Sequence, residues 1–356
     1  MIPHRKYIEL ALKLAEKGKG TVSPNPLVGA LVVKRGKIIG KGFHKKAGED
    51  HAEIIALKEA GKRAKHGTLY VTLEPCSHWG RTPPCTEAIV KSGVSEVVIG
   101  MKDVNPLVGG FYVLKSRGIK TRIGVLEEEA KKLNEIYVKY MKTKKPFVIL
   151  KVAATLDGKI ATSTGNSKYI TSKESRTYVH QLRDEVDAIL IGINTLLADN
   201  PHLDTRLVSG KEPFKVIIDT TLRFPMNAQV MKHPDKVIIA TTKKAPKKKI
   251  KLLQQKGVRI IETPIKKGKV SLEEVMIELG KQEITSVLIE GGNQINSSAL
   301  REKIVDKILL FTAPRLIGKG IDAFGDLGIK TLDQTINLKH MTTKKLGHDI
   351  LVEGYL

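Results

Sequence analysis

The feature that most constrains this 356-residue chain is the placing of its only two cysteines. Cys76 and Cys85 stand with eight residues between them in the turn-like run Glu74-Pro75-Cys76-Ser77-His78-Trp79-Gly80-Arg81-Thr82-Pro83-Pro84-Cys85, downstream of His51-Ala52-Glu53. Two cysteines make no disulfide framework. Pro-rich turns offer little core in which a thiol would pack as a small hydrophobe. One histidine and two cysteines instead supply three zinc ligands and leave a fourth position for water, the pattern of a catalytic site. Zinc brings the pKa of such a water toward neutrality. Glu53 is then the group to take its proton and deliver it to a ring nitrogen and to departing ammonia. His-x-Glu followed by Pro-Cys and a second Cys is the zinc deaminase signature. Each fragment alone is common, and the order of the fragments carries the reading. A structural zinc would recruit His78 as fourth ligand and leave Glu53 without a task.

The fold must bring a helix start to a strand end. Side chains at i and i+2 do not share a helix face, so His51 and Glu53 reach one pocket only if the helix N-terminus points into it. Periodicity predicts helices over residues 7–17, 51–59 and 86–92 and strands over 28–33, 37–42, 68–73 and 96–100, a layered α/β sandwich. A long charged helix is expected over 127–141, with a linker at 142–146 and a strand over 147–153 that places Lys151 at its end. The second part alternates again. Strands are expected at 188–192, 214–219, 237–240, 286–290 and 307–312, and helices at 173–185, 247–256 and 272–281. Two domains follow, residues 1–144 and 145–356, as the length also suggests.

Charge adds one constraint. The 61 Lys+Arg outnumber 37 Asp+Glu, for a net charge of +24, and such a field attracts phosphorylated metabolites, nucleotides or nucleic acid. The lysines are scattered, which reads as a solvated surface. With aromatics at 4%, no row of basic and aromatic residues appears of the kind a single-strand groove requires. No stretch approaches a membrane span and residues 1–6 carry no apolar signal core, so a soluble, cytoplasmic protein is expected.

The spacing between the cysteines exceeds the two residues common in cytidine and nucleic-acid deaminases. The long motif, together with Ser23-Pro24-Asn25-Pro26-Leu27-Val28-Gly29, Gly42-Phe43-His44 and Ala47-Gly48-Glu49, resembles the bifunctional deaminase/reductase family of riboflavin biosynthesis. It separates the chain from tRNA adenosine deaminases. In the second part, Leu150-Lys151 through Asp157-Gly158, the run 192–201, and Leu288-Ile289-Glu290-Gly291-Gly292-Asn293 resemble the reductase half of that family. Read without the resemblance, Gly291-Gly292 is equally a phosphate-approaching helix start or a tight turn, and no dinucleotide fingerprint stands after a strand.

The resemblance implies a cytidine-deaminase-like α/β/α sandwich followed by a dihydrofolate-reductase-like α/β domain. It implies zinc held by His51, Cys76 and Cys85 with Glu53 as catalytic residue, and NADPH as hydride donor. The cofactor would be lined by Ala153, Tyr169, Thr195 and Asp199 and by Gly292, Asn293, Gln294, Ile295, Asn296, Ser297 and Ser298. A phosphorylated pyrimidine substrate would meet Asn25 and His44 in the first domain, and Ser167, Arg183, Leu203, Arg206 and Glu290 in the second. Arg183 and Arg206 suit a 5′-phosphate, and Lys151 and Asp199 would lie near the sugar carbon being reduced. His180, His202 and His233 read as ordinary surface or partly buried residues. A homo-oligomer that binds neither nucleic acid nor membrane is expected. A nucleic-acid deaminase is the main rival, and it leaves more than half of the chain without a purpose. A single-activity variant and a non-enzymatic zinc protein are the others, and they predict the loss of one reaction or of both.

Overall fold

The computed structural model describes residues 2–79, 83–208 and 210–356, so Gly80, Arg81 and Thr82 of the cysteine motif lie outside the described residues. The chain divides into two compact units that meet between Lys144 and Lys145.

The first unit runs α1 (Ile2–Ala15), β1 (Gly29–Lys34), β2 (Lys37–Phe43), α2 (Ala52–Ala60), β3 (Thr68–Leu73), α3 (Cys85–Ser92), β4 (Glu96–Met101), α4 (Gly110–Ser116), β5 (Lys120–Ile123), α5 (Glu127–Leu133) and α6 (Glu135–Thr143). Its five-stranded sheet has the order β2-β1-β3-β4-β5. β1 is antiparallel to β2 and β3, and β3, β4 and β5 are parallel. Side chains alternate across it with the period of a strand. Ala30, Val32, Leu69, Val71, Val97 and Ile99 pack with α2 and α3 on one face. Leu31, Val33, Tyr70 and Val98 meet Ile8 and Ala11 of α1 on the other.

The contact between α2 and β2 is closer than side chains would allow. Ala52, Ala56 and Ala60 recur every four residues along α2 and are buried. A Cβ on Gly40 would stand 2.2 Å from the Ala56 carbonyl oxygen, and one on Gly42 would stand 2.3 Å from that of Ala52. Small residues on both elements therefore let backbone lie on backbone, and this sets the position of the helix start that carries His51 and Glu53.

The single helix expected over 127–141 is two helices. Asn134 breaks it, with φ −104° and ψ 22°. Its buried side chain accepts a hydrogen bond from the Leu27 backbone N–H at 2.8 Å and donates to the Leu27 carbonyl at 3.0 Å. An amide satisfying a distant backbone in this way competes with the helix ladder.

The second unit contains β6 (Phe147–Thr155), β7 (Lys159–Thr162), α7 (Lys173–Glu185), β8 (Ala188–Gly192), α8 (Ile193–Asp199), β9 (Phe214–Ile218), β10 (Val237–Thr241), α9 (Lys247–Gln255), β11 (Arg259–Glu262), β12 (Ile265–Lys266), β13 (Lys269–Val270), α10 (Leu272–Lys281), β14 (Ser286–Ile289), α11 (Asn293–Arg301), β15 (Lys307–Ala313), β16 (Gly320–Asp322), β17 (Lys339–Leu346) and β18 (Asp349–Tyr355). Nine strands form one sheet in the order β11-β10-β9-β8-β14-β6-β15-β18-β17. The strands from β11 to β15 are parallel, and an antiparallel hairpin, β18 and β17, closes the edge. β8 and β10 are buried at every residue, as parallel strands covered on both faces are. β6 extends through Thr155, so Lys151 lies in the middle of its strand and not at the end. Helix α7 is capped by the Ser172 hydroxyl, which accepts the Ser175 N–H. Asp349, at the start of β18, accepts hydrogen bonds from the Ser172 N–H at 2.7 Å and the Ser175 hydroxyl at 2.6 Å.

Candidate active sites

In the first unit, His51 is the N-cap of α2 and Glu53 lies in its first turn, buried at 3% exposure. Cys76 follows β3, and Cys85 opens α3 behind Pro84. Glu74 and Ser77 tie down the segment between them. Glu74 accepts the backbone N–H groups of Asp103 at 3.2 Å and Phe111 at 2.9 Å, and the Ser77 hydroxyl accepts that of Gly109 at 3.0 Å. The ligand atoms of His51, Cys76 and Cys85 lie within 4.8 Å of one another, and His78 is not in this group among the described residues. Nδ1 of His51 is 3.1 Å from Sγ of Cys85 and 3.6 Å from Sγ of Cys76, and the first N–H of α3 donates to the Cys76 sulfur at 3.3 Å.

The electrostatics favour a cation at this point. Hydrogen bonds from the Cys85 thiol, and then from His51 and the Cys85 amide, bring Cys76 down to about 4. Sharing that proton, together with burial, pushes Cys85 up. Burial holds Glu53 up at about 6. One imidazole and two thiols converging on a common point fit zinc. The Asn25 amide is 3.0 Å from Nε2 of His44, whose ring stands edge-on to His51 at 5.3 Å between centroids. Both residues therefore adjoin the metal-binding group. Burial lowers the pKa of His44.

In the second unit, two adjoining cavities open at the carboxyl ends of the parallel strands, where ligands of open α/β sheets bind. The larger, of about 1160 Å3, is lined by Gly192, Thr195, Gly292, Asn293, Gln294, Ile295 and Ser298. Gly192 and Gly292 are the N-caps of α8 and α11, which follow the adjacent strands β8 and β14. A Cβ on Gly291 would stand 2.6 Å from Cβ of Ile295, so the first turn of α11 folds directly over that glycine. Two helix starts side by side beside glycine backbone fit the phosphates of a dinucleotide. Ser297 lines neither cavity. Its hydroxyl donates to the Asn293 carbonyl at 2.7 Å and accepts the Gly325 N–H at 2.7 Å.

The second cavity, of about 750 Å3, is lined by Lys151, Ala153, Ser167, Tyr169, Arg183 and Thr195, and also by Asp199, Leu203, Arg206, Glu290 and Asn296. Residues that lie far apart in the sequence thus face one space. Leu203 is buried with φ +53°, a left-handed backbone that few bulky residues adopt. Arg183 is not a free cation. It donates to both oxygens of Glu290, at 2.7 and 3.0 Å, and to the Asp204 carbonyl at 3.0 Å. Lys151 is 3.6 Å from Glu290, and Arg206 is 2.5 Å from Asp204. Burial opposes the charge on Glu290, but Arg183 and Lys151 outweigh it and hold the carboxyl at about 2. Burial lowers the pKa of Lys151. The cavity also holds His180, which at 5% exposure is more deeply enclosed than the ordinary surface or partly buried residue expected from sequence. Its place on the inner face of α7, three residues before Arg183, was the available signal.

The fold and sites define a zinc deaminase joined in one chain to a nucleotide-dependent reductase. Residues 1–101 match the family described as cytidine and deoxycytidylate deaminase zinc-binding region, and residues 146–352 match the RibD C-terminal domain. The riboflavin biosynthesis protein RibD of Aquifex aeolicus (strain VF5) is 46% identical over 351 residues, covering 98% of this chain and 97% of that protein. The Escherichia coli (strain K12) RibD is 37% identical over 96% of this chain and 95% of its own length. Acinetobacter baumannii RibD superposes with a TM-score of 0.90 at 36% identity over 99% of each chain. A diaminohydroxyphosphoribosylaminopyrimidine deaminase/5-amino-6-(5-phosphoribosylamino)uracil reductase from Thermotoga maritima superposes with a TM-score of 0.89 at 38% identity, again over 99% of each. The chain belongs to the RibD family of riboflavin biosynthesis proteins. It is a bifunctional deaminase and reductase that uses zinc and NADPH, and the nucleic-acid deaminase alternative falls away.

Proposed function

We propose that residues 1–144 deaminate a diaminopyrimidinone ribosyl 5′-phosphate and that residues 145–356 then reduce its ribosyl group to a ribityl chain. The observation that carries the first step is the convergence of His51, Cys76 and Cys85 beside buried Glu53. Zinc, when bound, makes a water nucleophilic at neutral pH. Glu53 takes the proton of the attacking water and passes it to the ring nitrogen and the leaving group, so that C–NH2 and water become C=O and ammonia. A carboxyl held up at about 6 by burial is suited to that two-way traffic. Asn25 and His44 orient the pyrimidine against the metal ligands.

NADPH, when bound, would supply the hydride for C1 of the opened sugar. The glycine cradle at Gly292, with Asn293, Gln294, Ile295, Asn296 and Ser298, holds the cofactor with Ala153, Tyr169, Thr195 and Asp199. Ser297 supports that run from behind. Ser167, Leu203, Arg206 and Arg183 receive the ribosyl phosphate. Lys151 is a buried ammonium held by Glu290, its proton loosened by burial, and is the group assigned to protonate the ribosyl ring oxygen as the sugar opens for reduction at C1.

The partner in this reading is a small phosphorylated pyrimidine and not nucleic acid. Edge strand β17, exposed along nearly all its length, supports self-association. No described helix is long and apolar enough to cross a membrane, and a free-thiol metal site suits the reducing cytoplasm. The test is to incubate the purified chain with the pyrimidine substrate and follow ammonia release, then NADPH oxidation. Ammonia without later NADPH oxidation would remove the second half of the reading.

A further inference from the structure

The smaller cavity of the second unit is lined by a buried histidine that the reading above does not use. His180 lies on α7 one turn before Arg183 and is 5% exposed. Its Nδ1 is buried and meets no hydrogen-bond partner among the described residues. A buried polar atom without a partner is costly, and on a residue that lines a cavity it invites a bound group as the missing partner.

The surroundings say which ligand. Arg183 comes from α7 itself. Asp204, Arg206 and His202 come from the segment after α8, Glu290 follows β14, and Lys151 comes from β6. Both carboxylates are already engaged, Asp204 with Arg206 and Glu290 with Arg183 and Lys151. Lys151, Lys168, Arg176, Arg183 and Arg206 line the cavity against Asp199 and Glu290, with Asp204 beside the ring, a net positive surround that favours an anion.

We propose that His180 is a third ligand of the substrate phosphate, beside Arg183 and Arg206, and that it takes up a proton when the phosphate binds. The inference rests on the reading that a ribosyl phosphate occupies this cavity. Burial, and then the charges of Arg183 and Arg206, push His180 down to about 4, so the unliganded ring is neutral at pH 7. A phosphate dianion within hydrogen-bond reach favours imidazolium and turns a neutral contact into a charge-assisted one. A third arginine here would repel its neighbours in the unliganded protein. Histidine brings its positive charge only with the anion.

The probe is D-ribose 5-phosphate, titrated calorimetrically into the full chain between pH 7 and 8.5, above the second ionisation of a phosphate ester near about 6. Wild type is expected to bind more tightly as pH falls, with a buffer-dependent enthalpy that reports proton uptake. Ribose should show neither effect. H180Q should bind about tenfold more weakly at pH 7 and lose both the slope and the buffer dependence. R206Q should weaken binding yet keep them. NADPH affinity checks the fold of each variant, with H180N as a second neutral replacement. Proton uptake in H180Q and H180N equal to wild type, with R206Q weakened, overturns the role of His180 and leaves the cavity reading standing. Wild-type affinity in both H180Q and R206Q overturns the two together.

Discussion

Arg183 and Glu290 face each other through two parallel hydrogen bonds, Nε to Oε1 at 2.7 Å and Nη2 to Oε2 at 3.0 Å, with both side chains largely buried. A pair of this kind contributes little over an apolar pair of the same shape, but removing one partner strands the other. It fixes where the remaining cavity charges stand.

Acid should therefore loosen the second unit. Glu290 is held at about 2 against an ordinary 4.5. Its folded value is depressed, so its contribution is present above the unfolded pKa and fades as pH falls from near 4.5 toward 2. The full span is worth roughly 3 kcal/mol. Urea midpoints measured from pH 5 to 2.5 should fall in wild type, and this part of the slope should vanish in E290Q. Parallel curves would contradict the pairing.

Glu53→Gln should abolish ammonia release while leaving NADPH-dependent reduction of supplied deaminated intermediate intact. Normal deamination by the variant would remove Glu53 from the proton path. Cys76→Ser is read by metal analysis, and zinc content equal to wild type would count against the ligand assignment.

Gly42→Ala tests the helix seat. The added methyl meets the Ala52 carbonyl oxygen at 2.3 Å, and overpacking of this kind costs about 1–3 kcal/mol. The helix start must shift, so bound zinc and ammonia release should both fall. Retention of full deamination would show that α2 is seated by other contacts.

Gly291→Ala addresses the cofactor. With Ile295 Cβ only 2.6 Å from the new atom, the first turn of α11 must move away from its strand. The Kd for NADPH, followed by fluorescence, should rise at least tenfold while deamination is unchanged. An unaltered Kd would place the phosphates elsewhere.

Asn134→Ala should leave the Leu27 N–H and carbonyl without their partners, at a cost of about 1–3 kcal/mol. Thermal unfolding of the full chain should then show a lower first transition. No change in that transition would mean that water replaces the amide.

The metal-binding residues were legible because their signal is local in type and order: a histidine at a helix start, and cysteines after a strand and at the next helix start. The break at Asn134 was not, since its cause is Leu27, far away in sequence. The β17–β18 hairpin was missed because Lys339-His340-Met341-Thr342-Thr343-Lys344-Lys345 is exposed on both faces and shows no alternation. His180 resembled any helical histidine, as its burial is created by walls from other segments. Ser297 shared a run with its neighbours, and only the helical turn showed that it faces Gly325 instead of the cavity.

The seam of Gly40 and Gly42 against Ala52 and Ala56 has a consequence for how this enzyme can vary. With no side chain on the strand and only methyl groups on the helix, mutation there can add atoms but has almost none to remove. Drift has one direction, and backbone blocks it. Divergence in what the deaminase pocket accepts must therefore be written in the loops around Asn25 and His44, while the helix bearing His51 and Glu53 stays where it is.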